Sequence, residues 1–153
     1  MGSLEVVFFR YVQCAFGKEI TSEEFWHSVA HHEYIQNWLE YPGARPSEEM
    51  WERAKPLFRE IVEELKPKCI LFIGKCVYSR VSKDFLLSQA LDITDVESLS
   101  VYQGVHPTIQ IDDAIGTWVY HSAAFGHKSG LKKPKGVVSK LVQNAGGSIR
   151  RLH

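Results

Sequence analysis

The sequence predicts an α/β protein with a short, mostly parallel central sheet flanked by helices. An apolar, β-branched and aromatic run over Leu4–Val12 has the character of a buried strand. Residues Glu48–Lys66 then carry apolar side chains at helical spacing. The fully apolar run Cys69–Gly74 follows and ends in glycine, and Lys75–Tyr78 opens another helix. Strand, helix, strand, glycine and helix in this order are typical of a parallel α/β sheet.

Length and composition indicate one soluble domain spanning residues 1–153. No apolar run approaches the roughly 18–20 residues of a membrane span, and no secretory segment follows the first methionine. Three cysteines do not suffice for a disulfide-rich framework, which favours a reducing compartment. We therefore predict a cytoplasmic or nuclear protein that has no membrane partner.

The formal net charge of zero conceals a strong asymmetry along the chain. Residues 114–153 contain 7 of the 18 Lys and Arg residues and none of the 18 Asp and Glu residues. A segment with charge of one sign indicates an anionic partner, most commonly nucleic acid. The alternative is that this basic segment pairs with the acidic remainder of the chain.

The first predicted helix is placed by a T-x-x-E capping box, Thr21–Glu24, and extends from Glu23 to about His32. His27 and His31 would then lie one turn apart on that helix, a spacing that can hold a metal ion. A metal site needs three or four ligands, and the sequence specifies no others. We favour surface histidines and predict no metal site.

The second predicted helix is the strongest in the chain. Prolines and a glycine make Tyr41–Pro46 a loop, Ser47 supplies the N-cap, and Pro67 ends the helix. Pro56 lies inside it and should bend it locally. The predicted buried face consists of Met50, Trp51, Ala54, Leu57, Phe58, Ile61, Val62 and Leu65.

The second half of the chain gives weaker signals. Leu86–Leu99 is compatible with a helix or an irregular loop, whereas Val105–Ile111 contains a short β-prone segment. Asp112–Asp113 should turn the chain before a strand at Trp118–Tyr120. A last helix should bury Val137, Val138, Leu141 and Val142.

The stretch Thr117–Lys135 carries the strongest functional signal. Its apolar strand ends at His121, and a loop of small residues containing Phe125 follows. Glycines and a cluster of lysines then lead into the last predicted helix. Ligands bind at the carboxyl ends of strands in open α/β sheets, in loops held by a rigid scaffold. We therefore predict that the functional site lies here.

Two groups of motifs resemble the uracil-DNA glycosylase superfamily. The first combines Gly43–Glu49, Ala54–Leu57, Leu65–Lys68 and Ile70–Lys75. In that superfamily a helix of the form RPxxEE…C/A-x-P-x-L leads through a turn into a strand that ends in LG. The second is His121–Phe125, where the superfamily places its HPS-type loop. The resemblance implies a three-layer sandwich with a mostly parallel sheet over nearly the whole chain.

The resemblance also implies roles in binding single-stranded or uracil-containing DNA. His121 would be the catalytic residue, donating a hydrogen bond to the negative charge that develops on the base. Phe125 would fill the space that a flipped base leaves in the stack. The implied nucleic-acid contacts are Ser122, Phe125, His127, Lys128, Ser129, Lys132 and Lys133, and the implied base pocket contains Arg10 and Gly74.

Simpler interpretations of these residues remain open. His121 could hydrogen-bond to the backbone at a strand end, and Phe125 could fold into the core. The lysines could form a solvated face. Arg10 could meet an anion in a pocket or pair with a glutamate at a strand end.

The sequence also departs from the superfamily pattern. The water-activating motif, which belongs on an earlier strand, is not found in this sequence, and Arg10 occupies the place of a base-reading asparagine. Ser122 and Ala123 replace the proline and serine of the HPS loop. Some members of the superfamily hold an iron–sulfur cluster with four cysteines. In this sequence only Cys14 matches one of those four positions, so we predict no cofactor.

Three functional hypotheses follow. In the first, the chain is a base-flipping protein related to DNA repair, and the missing motif leaves open whether it hydrolyses N-glycosidic bonds. In the second, it is a non-catalytic nucleic-acid binder on the same scaffold. In the third, it is an interaction module whose open strand edge is covered by a protein partner or a second copy.

Overall fold

The computed structural model describes residues 21–37, 39–41, 43–88, 93–101, 104–119, 137–138 and 140–142. In these ranges lie helices α1 (Ser22–Ser28), α2 (Glu48–Leu65) and α3 (Lys75–Ser88). The strands are β1 (Cys69–Ile73), β2 (Ile93–Val101), β3 (Gly104–Ile111) and β4 (Ala114–Val119). Residues 137–138 and 140–142 are helical. The predicted strand Leu4–Val12 lies outside the described residues.

The four described strands form one sheet in the order β1-β4-β3-β2. Strands β1 and β4 are parallel, with Phe72 paired to Trp118, whereas β4 with β3 and β3 with β2 are antiparallel. The prediction of helices on a β-sheet is confirmed. The expectation of a mostly parallel sheet is wrong for the described strands, because a β2–β3–β4 meander needs only short turns and therefore pairs antiparallel.

The turns of this meander follow from its sequence. Asp112 adopts φ +50, a left-handed conformation that aspartate tolerates better than most residues. The predicted Asp112–Asp113 turn is thereby confirmed, and Ile111 pairs with Ala114 across it. Between β2 and β3 the register shifts by one residue after Val96, opposite Pro107. Proline has no N–H for the ladder, so a bulge is the position in a central strand that suits it.

Strand β2 was not predicted. The segment Leu86–Leu99 was expected to be a helix or an irregular loop, but α3 continues to Ser88 and a strand begins at Ile93. Asp95 and Glu97 interrupt its apolar residues and lower its intrinsic strand preference. Pairing with β3 therefore decides its conformation.

Helix α1 forms through its predicted capping box. Thr21 Oγ1 accepts a hydrogen bond from the Glu24 N–H at 3.2 Å, and Glu24 Oε2 accepts one from the Thr21 N–H at 2.8 Å. The helix ends at Ser28, because Val29 is extended, so His31 does not lie on it. His27 and His31 are both exposed, which confirms that they are surface histidines.

Helix α2 begins and ends close to the predicted positions. Ser47 caps it through a hydrogen bond from the Met50 N–H, and Lys66 ends it in a left-handed conformation with φ 44. The predicted apolar face divides into two stripes. One is buried and comprises Trp51, Ala54, Phe58 and Val62. The other is partly or largely exposed and comprises Met50, Leu57, Ile61 and Leu65.

The described core lies between α2, α3 and one face of the sheet. Aromatic rings run through it from Tyr34 to Phe58, Phe72 and Tyr78, with successive centroids 5.5, 6.1 and 5.8 Å apart. Gly116 makes room for the Phe72 ring, since a Cβ there would lie 3.2 Å from Phe72 Cε2. Thr117 and Val119 on the opposite face of β4 are also buried, as are the predicted helical positions Val137, Val138, Leu141 and Val142.

Candidate functional site

The carboxyl ends of the two parallel strands meet at one edge of the sheet. Ile73 pairs with Val119 at the last position of both strands. The Gly74 N–H extends this pairing by donating to the Val119 carbonyl at 2.7 Å. The chain leaves β1 into α3 at this edge, and His121 follows β4 after one intervening residue in the sequence. This edge is where functional residues concentrate in open α/β sheets.

Gly74 forms the turn between β1 and α3. Its φ of +115 is accessible to glycine and strained for other residues. Its carbonyl accepts the first helical hydrogen bond, from the Tyr78 N–H at 3.4 Å. A Cβ at this position would meet nothing within 4 Å, so the space above Gly74 is open. The predicted pocket glycine therefore lies at the carboxyl edge with free space beside it.

The first turn of α3 adds a cation to this edge. Lys75 Nζ lies 5.8 Å from the centroid of the Trp118 ring, within the range of a cation–π interaction. Trp118 itself is 6% exposed and belongs to the core. Cys76 follows Lys75 and is exposed. The edge thus presents an ammonium group held over an anchored aromatic ring, together with a helix N-terminus.

Most of the predicted site lies outside the described residues. This holds for Arg10, His121, Ser122, Phe125, His127, Lys128, Ser129, Lys132 and Lys133. Of the predicted site residues, the structure therefore places only Gly74. The predicted roles of the others remain predictions.

A second group of polar side chains joins α2 to α3 and was not predicted. Arg80 Nε lies 2.9 Å from Asp84 Oδ2 on the same helix, and Arg80 also pairs with Glu48 on α2. Lys55 of α2 approaches the same Asp84 oxygen at 3.6 Å. The Arg80 guanidinium lies 5.8 Å from the centroid of the Trp51 ring. The Arg80–Asp84 spacing of four residues was a visible signal, but nothing local identified the partners on α2.

Tyr34 is buried beside this cluster. Its ring packs between Trp51 and Phe58, with centroid distances of 5.6 and 5.5 Å. Burial, and then the negative charge of Asp84, raise the pKa of the Tyr34 hydroxyl. The hydrogen bond from Arg80 to Glu48 raises the pKa of the Arg80 guanidinium. Both groups keep their ordinary protonation at neutral pH, so the cluster acts as a fixed connection between the helices.

Replacing Arg80 with alanine should lower the free energy of unfolding by about 2 kcal/mol. The Asp84 carboxylate is only 11% exposed and would lose its partner at 2.9 Å. Arg53→Ala is the matched control, because Arg53 pairs with Glu49 at 66% exposure and should cost about 0.5 kcal/mol or less. Urea unfolding measures both, and equal losses would show that the Arg80 cluster adds no more than a surface ion pair.

The described part of the chain gives no sign of a metal or membrane site. It contains no group of three or more His, Cys, Asp or Glu side chains placed to hold a metal ion. None of its helices combines the length and apolarity needed to cross a membrane. Comparisons with protein-family models, curated proteins and solved structures found no match to this chain.

Proposed function

We propose that the chain binds nucleic acid at the carboxyl edge of β1 and β4, on a scaffold resembling that of the uracil-DNA glycosylases. The observation that carries the proposal is the junction of Gly74 with Val119. This hydrogen bond brings the turn at Gly74, before α3, next to the end of β4. Residues 120–135 follow β4 directly in the sequence.

The charge of the segment that follows β4 supports an anionic ligand. Residues 114–153 contain no acidic side chain. Within residues 120–135, which we propose as the binding loop, lie Lys128, Lys132, Lys133 and Lys135. Lys75 adds a described cation at the same edge. Phosphate contacts by such cations supply most of the affinity in non-specific nucleic-acid binding and make it salt-dependent.

The proposed roles within this loop follow the superfamily resemblance. His121 would face the base and stabilise charge on it, Phe125 would replace the flipped base in the stack, and Ser122 would contact a phosphate. The proposed reaction, hydrolysis of an N-glycosidic bond, is a separate step from binding.

Fluorescence anisotropy with labelled single-stranded DNA and a G·U-mismatched duplex tests the proposal. We expect binding that weakens steeply between low and physiological salt, with a preference for the mismatch over a matched duplex. Phe125→Ala should abolish this preference and Tyr41→Ala should not, because Tyr41 is an exposed aromatic residue (63%) outside the loop. Absence of binding at low salt would contradict nucleic-acid binding, whereas binding without uracil release would leave a non-catalytic binder.

A further inference from the structure

Helix α2 carries a second apolar stripe beside the residues that it contributes to the described core cluster. Met50, Leu57, Ile61 and Leu65 are spaced by seven, four and four residues and therefore share one side of the helix. Met50, Leu57 and Ile61 are partly exposed, and Leu65 is 52% exposed. Among the described residues, the partly buried apolar side chains that pack against the core are Ile35, Ile70 and Val77. The stripe thus lies beside the described core cluster and is most exposed at Leu65.

The margin of this stripe carries Glu49 and Arg53 towards the N-terminal end of the helix and Glu60 and Glu64 towards the C-terminal end. Arg53, Glu60 and Glu64 are spaced by seven and four residues and lie along the same side of Leu57. All three are exposed. In an antiparallel copy of the helix, Arg53 of each copy would come beside Glu60 and Glu64 of the other, in addition to its own partner Glu49.

From this pattern we infer that the stripe is a self-association surface, on which the α2 helices of two copies pack antiparallel around a two-fold axis near Leu57. A two-fold interface uses the same patch on both copies, so each contact occurs twice. Met50 of one copy then lies opposite Leu65 of the second copy. Arg53 of one copy lies beside Glu60 and Glu64 of the second copy.

A second copy fits this surface better than an unrelated partner. The apolar pairs around Leu57 are mutual under the two-fold axis, and so are the Arg53–Glu64 pairs. Glu49 already pairs with Arg53 within the helix, so in the dimer the arginine would lie between Glu49 of its own copy and the glutamates of the second copy. The surface consists of one helix face, so we expect a weak dimer that forms at micromolar concentrations. The inference does not depend on the proposed nucleic-acid binding.

Sedimentation velocity over about 1–300 µM protein measures the association. We expect the full chain to shift from monomer to dimer over this range. Leu65→Arg, at a largely exposed position, should remove the dimer without unfolding the chain. Arg53→Glu and Glu64→Arg should each weaken association about tenfold, because each puts like charges opposite one another twice. Glu63→Arg is the matched control, since Glu63 lies on another side of α2 and lines a shallow cavity with Lys66 and Asp112.

Mixing the Arg53→Glu and Glu64→Arg variants is the decisive experiment. In a mixed dimer of Arg53→Glu with Glu64→Arg, both cross-copy pairs regain opposite charges, so mixed dimers should form at wild-type concentrations. A wild-type monomer at every concentration would overturn the inference, as would a mixture that associates no better than its components. Circular dichroism of each variant separates loss of association from loss of folding.

Discussion

Replacement of Phe72 by alanine is expected to lower the free energy of unfolding by about 3–5 kcal/mol. Phe72 is 5% exposed at the centre of the described core, and its ring contacts Phe58 of α2 and Tyr78 of α3. The substitution removes the side chain that joins both helices to β1. Urea unfolding measures the loss. Tyr41→Ala, at 63% exposure, should change the stability by no more than about 0.5 kcal/mol.

Gly116 provides an internal check on this result. A Cβ at Gly116 would lie 3.2 Å from Phe72 Cε2 and 3.3 Å from Ile109 Cγ1, so Gly116→Ala should destabilise the wild type. In the Phe72→Ala background the nearer of these contacts no longer exists, and the same substitution should cost less. A double-mutant cycle measures the coupling. Equal costs in both backgrounds would contradict the close approach of the Phe72 ring to β4.

The starts of the helices and the end of α2 are encoded locally and could be predicted closely, whereas α1 ends at Ser28 and not near His32. Thr21 with Glu24 starts α1, Ser47 starts α2, and Lys66 before Pro67 ends it. Gly74 separates β1 from α3 through a backbone conformation that glycine favours. Each signal acts within four residues of the position that it determines, so the sequence alone identifies it.

Not all of the strand pairing could be predicted in the same way. The short turn at Asp112–Asp113 makes β3 antiparallel to β4, but the parallel pairing of β1 with β4 joins segments that lie far apart in the chain. In strand β2, Asp95 and Glu97 alternate with the strand-forming residues Thr94 and Val96, and the segment becomes a strand by pairing with β3. The Arg80 cluster has the same origin, because Glu48 and Arg80 are 32 residues apart and meet only when α2 packs beside α3.

The edge of the sheet that carries the candidate site could be predicted, because the sequence shows where two strands end. An apolar run that ends in Gly74 and another that ends near Val119 indicated two carboxyl ends, and their parallel pairing places these at one edge. The cation of Lys75 over Trp118 could not be foreseen, because it depends on which strand neighbours β1. Sequence patterns thus located the edge but not the groups that line it.

Replacing Lys128, Lys132 and Lys133 together by glutamine should weaken binding to double-stranded DNA by about 10–100-fold at low salt. If the three lysines neutralise phosphates, the slope of log K against log salt should become shallower by about 2–3, since each phosphate contact contributes roughly 0.9. Anisotropy titrations at four or five salt concentrations measure both quantities. A change in slope identifies direct phosphate contacts, whereas a loss of affinity alone does not.

The matched control removes three positive charges at other positions of the chain. Lys66, Lys68 and Lys83 are exposed lysines outside the proposed loop. Their replacement by glutamine lowers the net charge equally but should leave the salt slope within about 0.5 of the wild-type value. If both triple variants lose affinity equally, the chain attracts DNA through its overall charge and not through the loop after β4. Binding at the carboxyl edge therefore requires the two variants to differ, because only the first removes lysines that we propose to act at that edge.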